Sequence, residues 1–153
     1  MTISNKYTIL FLHGPNFNLL GTREPDKYGT TTLDEINDEL KNIAAKAGIM
    51  LECFQSNCEG ALIDKTHQSL SANYDFLLIN PGGYTHSSIA WRDAVLAVNK
   101  PFIEVHLSNI FAREEFRHKS FFADIAQGII YGLGIAGYKL ALNYAINYLL
   151  GKE

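Results

Sequence analysis

Phe76-Leu77-Leu78-Ile79-Asn80-Pro81-Gly82-Gly83-Tyr84-Thr85-His86 is the stretch that decides the fold. A strand with one wet face alternates apolar and polar residues, whereas a short run apolar at every position is buried on both faces. The run 76–79 is of the second kind, and Pro81-Gly82-Gly83 ends it. Three other runs repeat the pattern. Thr8-Ile9-Leu10-Phe11-Leu12 leads into His13-Gly14-Pro15-Asn16. Met50-Leu51-Glu52-Cys53-Phe54 leads into Gln55-Ser56-Asn57, and Pro101-Phe102-Ile103-Glu104-Val105 into His106-Leu107-Ser108. In open α/β sheets ligands bind beyond the carboxyl ends of the strands, so these endings bring amides, imidazoles and a hydroxyl to one edge.

Helical patterns fill the intervals. Thr32 and Glu35 form a capping box that opens a helix to about residue 47, with Leu33, Ile36, Leu40, Ile43 and Ala44 at helical spacing and Gly48 as the stop. Further helices are expected over 60–72, 87–98 and 135–150, a helical turn over 110–117, and a weak fifth strand within 126–132. Alternating strands and helices imply right-handed crossovers and a parallel sheet. The expectation is a single α/β domain over 1–153, a flavodoxin-like doubly wound five-stranded parallel sheet. The segment 17–31 is long for a strand–helix connection and reads as a lid or binding loop. The last helix is apolar almost all round, which calls for cover from several sides and points to a subunit interface.

The bulk composition excludes several classes. The 153 residues suffice for one buried core, and 47% hydrophobic with 19% charged residues argues against disorder. A net charge of −3 without a basic stripe gives no reason to expect nucleic acid. Cys53 and Cys58 make neither a disulfide framework nor a four-ligand zinc site, and Cys53 reads as a buried small hydrophobe. No secretory leader pattern, N-x-[ST] sequon or run of about 20 apolar residues is present. The reading is a cytoplasmic protein with no membrane and no nucleic-acid partner.

Each reactive-looking constellation has a plain alternative. Gly132-x-Gly134-x-x-Gly137 matches the dinucleotide fingerprint, but no βαβ unit can follow it, so close packing of the last helix is the better reading. His13, His86 and His106 lack the spacing and the Cys or carboxylate help of a zinc site, so no metal is expected. Glu104 and His106 lie two apart on one strand and so share a face, where the carboxylate would fix the tautomer and raise the basicity of the imidazole. A lone histidine at a strand end is otherwise an ordinary core residue. Gly82 and Gly83 admit a ligand to the backbone, and the serines at 87 and 88 can cap the next helix. Arg23, Arg113 and Arg117 can reach the same edge and suit carboxylate binding, although each alone reads as a surface charge. Arg23 precedes Tyr28 by five residues in the long loop, and a phenol serves as a base near neutral pH only where cations favour the phenolate. No lysine lies inside an apolar strand, so imine chemistry is not expected.

Five stretches taken together resemble type II 3-dehydroquinate dehydratases. They are LHGPNFNLLGTREPDKYG over 12–29, QSNCEG over 55–60, NPGGYTHSS over 80–88, EVHLSN over 104–109 and FRHKS over 116–120. Cys58 stands where a histidine is expected, and Trp91 beside Arg92 also departs from the pattern. The resemblance implies anti elimination of water from 3-dehydroquinate through an enolate, without cofactor. It implies Tyr28 as the base, Arg23 as the cation that lowers its pKa, and His106 as the acid oriented by Glu104. Asn16 would help to stabilise the enolate. Asn80, His86, Leu107, Ser108 and Arg117 would hold the substrate. It also implies a homo-oligomer, a dodecamer built from trimers, in which Asp93 reaches a neighbour's site. The competing reading, a receiver or flavin carrier, lacks the acidic residues or the phosphate loop that either needs after the first strand.

Overall fold

The structure is a computed structural model that describes residues 5–152, and the side chains of all of these except Lys27 and Tyr28. Five parallel strands form one sheet: β1 (Tyr7–His13), β2 (Ile49–Gln55), β3 (Phe76–Asn80), β4 (Phe102–His106) and β5 (Gly128–Tyr131). Their spatial order is β2-β1-β3-β4-β5. This is the flavodoxin-like order expected from the alternating pattern, with the direction of winding reversing between β1 and β3.

Helices α2 (Leu33–Lys46) and α5 (Gly134–Leu149) cover one face, and α3 (Glu59–Ser71) and α4 (Ile89–Val98) the other. The strict alternation of a strand divides the apolar runs between these layers. Ile9 and Phe11 of β1 pack with Leu40, Leu142 and Ala145. Leu10 and Leu12 of the same strand pack with Leu62, Trp91 and Val95. Both sets of β1 side chains are fully buried, so the strand needs no polar face.

The capping box of α2 is complete. Thr32 Oγ1 accepts from Glu35 N, and Glu35 Oε2 accepts from Thr32 N. At the start of α4 the Ser88 hydroxyl accepts from Trp91 N at 3.0 Å, so the helix begins at residue 89, two residues later than the sequence pattern alone places it. Trp91 is buried, and its Nε1 donates to Thr66 Oγ1 at 2.9 Å, which ties α4 to α3. That bond satisfies the one polar atom a buried tryptophan brings with it.

The long segment after β1 holds a 3-10 turn at Phe17–Leu19 and the one-turn helix α1 (Pro25–Tyr28). Two expectations need correction. The expected turn over 110–117 is two separate 3-10 turns, Ile110–Ala112 and Glu115–Arg117. Cys53 is half-buried rather than buried, because β2 is an edge strand and its face is only partly covered. In the glycine motif at 132–137, Gly132 takes φ +88 and a side chain there would meet Asn109 Cβ at 2.9 Å, while Gly137 packs on Ile130. Packing accounts for both glycines. Among the described residues no helix is long and apolar enough to cross a membrane.

Candidate active site

The register of the sheet brings the strand ends level. His13 pairs with both Gln55 and Asn80, Glu104 pairs with Ile79, and His106 with Tyr131. Beyond β1, β3 and β4, at the switch point, a cavity of about 200 Å³ opens. It is small beside the ~300–1,000 Å³ of drug-sized pockets. Asn16, Phe17 and Arg23 line it from the segment after β1. Asn80, Gly82, Gly83 and His86 line it after β3, and His106, Leu107, Ser108 and Ile110 after β4. Arg113 and Arg117 close it from the 3-10 turns.

His106 sits on a fully buried carboxylate. Its Nε2 lies 3.4 Å from Glu104 Oε1 and 3.4 Å from Thr85 Oγ1. Glu104 is fully buried, and a buried carboxylate must be met by donors. The Ser120 hydroxyl donates to its Oε1, and the Tyr131 hydroxyl donates to its Oε2 at 2.7 Å. Ser120 Oγ itself accepts from Phe122 N and Ala123 N, which leaves its own proton for the carboxylate. Arg92 keeps this segment in place by bonding the Phe121 carbonyl at 2.8 Å and pairing with Asp124. Nε2 is thus the ring nitrogen that faces the carboxylate, an acceptor to which an N–H there can point, and Nδ1 is the ring's second proton site. Such a ring can give a proton to a ligand and be recharged.

Asn80 is a buried amide with both ends engaged. Its Nδ2 donates to the Tyr138 hydroxyl at 2.5 Å, and its Oδ1 accepts from Gly82 N at 3.1 Å. Asn16 adopts a left-handed backbone with φ 71, which asparagine tolerates better than most residues. Its backbone N–H donates to Asn57 Oδ1 at 2.8 Å, and Gln55 Nε2 donates to the same oxygen at 3.1 Å. The QSN stretch after β2 thereby positions the loop after β1 without lining the cavity. Gly14 allows the approach of β1 to β3: a Cβ there would lie 2.3 Å from the Pro81 carbonyl oxygen.

The described lining residues include three arginines and two histidines but no carboxylate. A small anion entering the cavity would therefore meet positive charge in a partly enclosed space, where guanidinium groups bind carboxylate well. Arg117 is held from outside, with Nε 2.6 Å from Glu114 Oε2 and the guanidinium 5.1 Å from the Phe116 ring. Burial is the main cause that pushes His86 below the ordinary histidine range, and nearby His106 and Arg117 push the same way.

Of the residues singled out in the sequence, Asn16, Arg23, Asn80, His86, His106, Leu107, Ser108 and Arg117 line one cavity, and Glu104 lies directly behind His106. Asp93 is exposed on α4 and is not among the lining residues. The side chain of Tyr28, expected to be the base, lies outside the described residues. His13 does not join the other two histidines. It is fully buried, stacked 4.1 Å from the Phe11 ring and bonded through Nε2 to Asn37 Oδ1 at 3.0 Å. Burial lowers its pKa to about 4. Among the described residues no three metal-ligating side chains cluster. Phe17, Ile110 and the supporting Ser120, Tyr131 and Tyr138 escaped the sequence reading. Tyr131 and Tyr138 lie in strand and helix patterns and read as core, while Phe17, Ile110 and Ser120 lie in connections where no local period marks them, so only their contacts reveal them.

Residues 7–146 match the model of the dehydroquinase class II family. A 3-dehydroquinate dehydratase of Ectopseudomonas mendocina is 58% identical over 145 residues, which span 95% of this chain and 98% of that protein. One from Haemophilus influenzae is 50% identical over 150 residues, spanning 98% and 100%. The crystal structure of a type II dehydroquinase from Propionibacterium acnes superposes with a TM-score of 0.87 at 41% identity, covering 92% of this chain and 96% of that one. One from Butyrivibrio crossotus gives 0.88 at 42% identity, covering 92% and 97%. The chain belongs to the class II dehydroquinase family.

Proposed function

We propose that this protein is a hydro-lyase that converts 3-dehydroquinate to 3-dehydroshikimate in the shikimate pathway. The observation that carries the reading is the pairing of His106 with the buried Glu104 at the floor of a cavity lined with arginine and free of carboxylate among its described residues. The substrate is a small anion with a hydroxyl that must leave, and the cavity offers cations for the one and an imidazole for the other. Membership of the family supports the same reaction.

In this reading Tyr28, with its phenolate favoured by Arg23, removes a C2 proton, and the electrons pass to the carbonyl oxygen as an enolate. Asn16 helps to hold that charge. The enolate collapses to the enone as the C1 hydroxyl leaves with a proton from His106, and Glu104 steadies the imidazolium. One proton is taken and one is given, so the groups must start in opposite protonation states. Asn80, His86, Leu107, Ser108 and Arg117 orient hydroxyls and carboxylate. The segment 17–31 acts as a lid within a single domain over 1–153. No cofactor enters.

The reading extends to assembly and place. Leu140, Tyr148 and Leu150 of α5 and its end are exposed in the single chain, which supports a homo-oligomer, a dodecamer of trimers in which Asp93 reaches a neighbouring site. A cytoplasmic location suits a small-molecule enzyme of this kind. An ultraviolet assay for the conjugated enone, run on 3-dehydroquinate with added chelator, tests the activity. Absence of product, or loss of activity to the chelator, overturns the reading. Sedimentation tests the assembly, and an active 17.1 kDa monomer would contradict it.

A further inference from the structure

The support beneath His106 contains a phenol that the reaction itself does not call for. Tyr131 lies on β5, directly across the register from His106. Its hydroxyl donates to Glu104 Oε2 at 2.7 Å, and its ring meets the imidazole edge-on, with centroids 5.0 Å apart and planes at 70°. It is half-buried and does not line the cavity. One side chain thus touches both members of the acid pair and none of the space a substrate would occupy.

Resting on the functional reading above, we propose that Tyr131 is a positioning residue for the acid side of the elimination, holding the Glu104 carboxylate by its hydroxyl and the His106 ring by its edge. Glu104 is fully buried, and each of its oxygens has one hydroxyl donor: Ser120 at Oε1 and Tyr131 at Oε2. Two donors on opposite oxygens fix the rotation of a carboxylate, where one would leave it free to swing. The oxygen that faces His106 is Oε1, so its aim depends on Oε2 being held. Edge-to-face contact supplies the second restraint, since a ring in that geometry resists tilting of its neighbour. The Phe111 ring also lies near the phenol, with centroids 5.8 Å apart and planes at 54°. Burial, with Glu104 adding to it, keeps the phenol protonated well above the ordinary range, as a permanent donor must be.

The test removes one oxygen. Tyr131→Phe keeps the ring and its packing. Its kcat should fall about tenfold, the scale of a lost hydrogen bond to a charged group, while KM moves less than about twofold. Exchange of the C2 proton with solvent belongs to the base side and should persist, so the ratio of exchange to dehydration rises. In a His106→Ala background the same substitution should cost nothing more, because Tyr131 acts through His106. Unchanged kcat, exchange lost in parallel with dehydration, or an equal loss in the His106→Ala background overturns the proposal. A chain that makes no enone at all overturns the functional reading instead. The contact can also be read in the unmodified protein, whether or not Tyr131→Phe folds and whether or not the chain dehydrates. In a labelled-tyrosine NMR titration the Tyr131 phenol should remain protonated at about pH 10, where a free phenol is half ionised, and Glu104→Gln should bring its titration down. A Tyr131 that titrates with the exposed tyrosines, or ignores Glu104→Gln, refutes it.

Discussion

His86 Nδ1 lies 2.8 Å from the backbone carbonyl oxygen of Lys119. A carbonyl only accepts, so the ring carries its proton at Nδ1, and the neutral form leaves Nε2 as an acceptor at the cavity. Burial holds the ring below the ordinary histidine range, against the carbonyl bond that favours the charged form. Nitrogen-detected NMR should find the Nδ1–H tautomer at pH 7 and a titration midpoint below 6.5. An Nε2–H tautomer would reverse the donor and acceptor assignment at this wall.

His13 makes stability depend on acid. Its folded pKa is about 4 against 6.5 in the open chain. The unfolded state therefore binds the extra proton first, and stability is full above about pH 6.5 and falls as pH drops towards 4. That interval corresponds to about 3 kcal/mol. Urea denaturation at pH 7 and pH 4.5 should show the loss, and His13→Phe should flatten this part of the profile even if it lowers stability at pH 7. An unchanged slope in that variant would place the acid sensitivity elsewhere.

The arginine wall should govern substrate binding. Arg113→Ala should raise KM by about 10- to 100-fold, the range for a hydrogen bond to a charged group, with a smaller change in kcat. Added salt should raise KM in the unmodified protein through screening. A KM indifferent to both would remove Arg113 from the anion site.

Tyr28→Phe should leave the fold intact and reduce kcat by at least ~10²-fold, the usual scale for a general base. It should also abolish C2-proton exchange, which His106→Ala should spare in part. Deuterium incorporation into recovered substrate, followed by NMR, separates the two. Normal turnover in the phenylalanine variant would take the base role from Tyr28.

Gly14→Ala drives a methyl group into the Pro81 carbonyl, and backbone cannot yield as a flexible side chain does. A loss of about 1–3 kcal/mol is expected, as for other overpacked sites. Because Gly14 N also donates to the carbonyl of Asn80, which lines the cavity, kcat should fall along with the denaturation midpoint. A stable variant of normal activity would show that the two strand ends are not tightly coupled.

The sequence by itself determined the sheet. A run such as 76–79, apolar at every position, can be satisfied only by cover on both faces, and its Pro-Gly-Gly ending marks where the pocket opens. The pairing of Glu104 with His106 was legible for the same local reason, since residues two apart on a strand share a face. Loop residues such as Arg23 and Arg117 were legible as candidate carboxylate binders by residue type, but their particular roles came only through the family's motifs, because no local period constrains them. Tertiary structure decided what surrounds these groups. It took His13 away from the other histidines, because β1 turns that ring onto Phe11 and Tyr138. It also brought Ser120, Tyr131 and Tyr138 beneath Glu104 and Asn80 from 16, 27 and 58 residues away. Hydrogen bonds across such separations depend on strand register and helix docking, which arise from the packing of the whole chain and leave no periodic trace in any one segment.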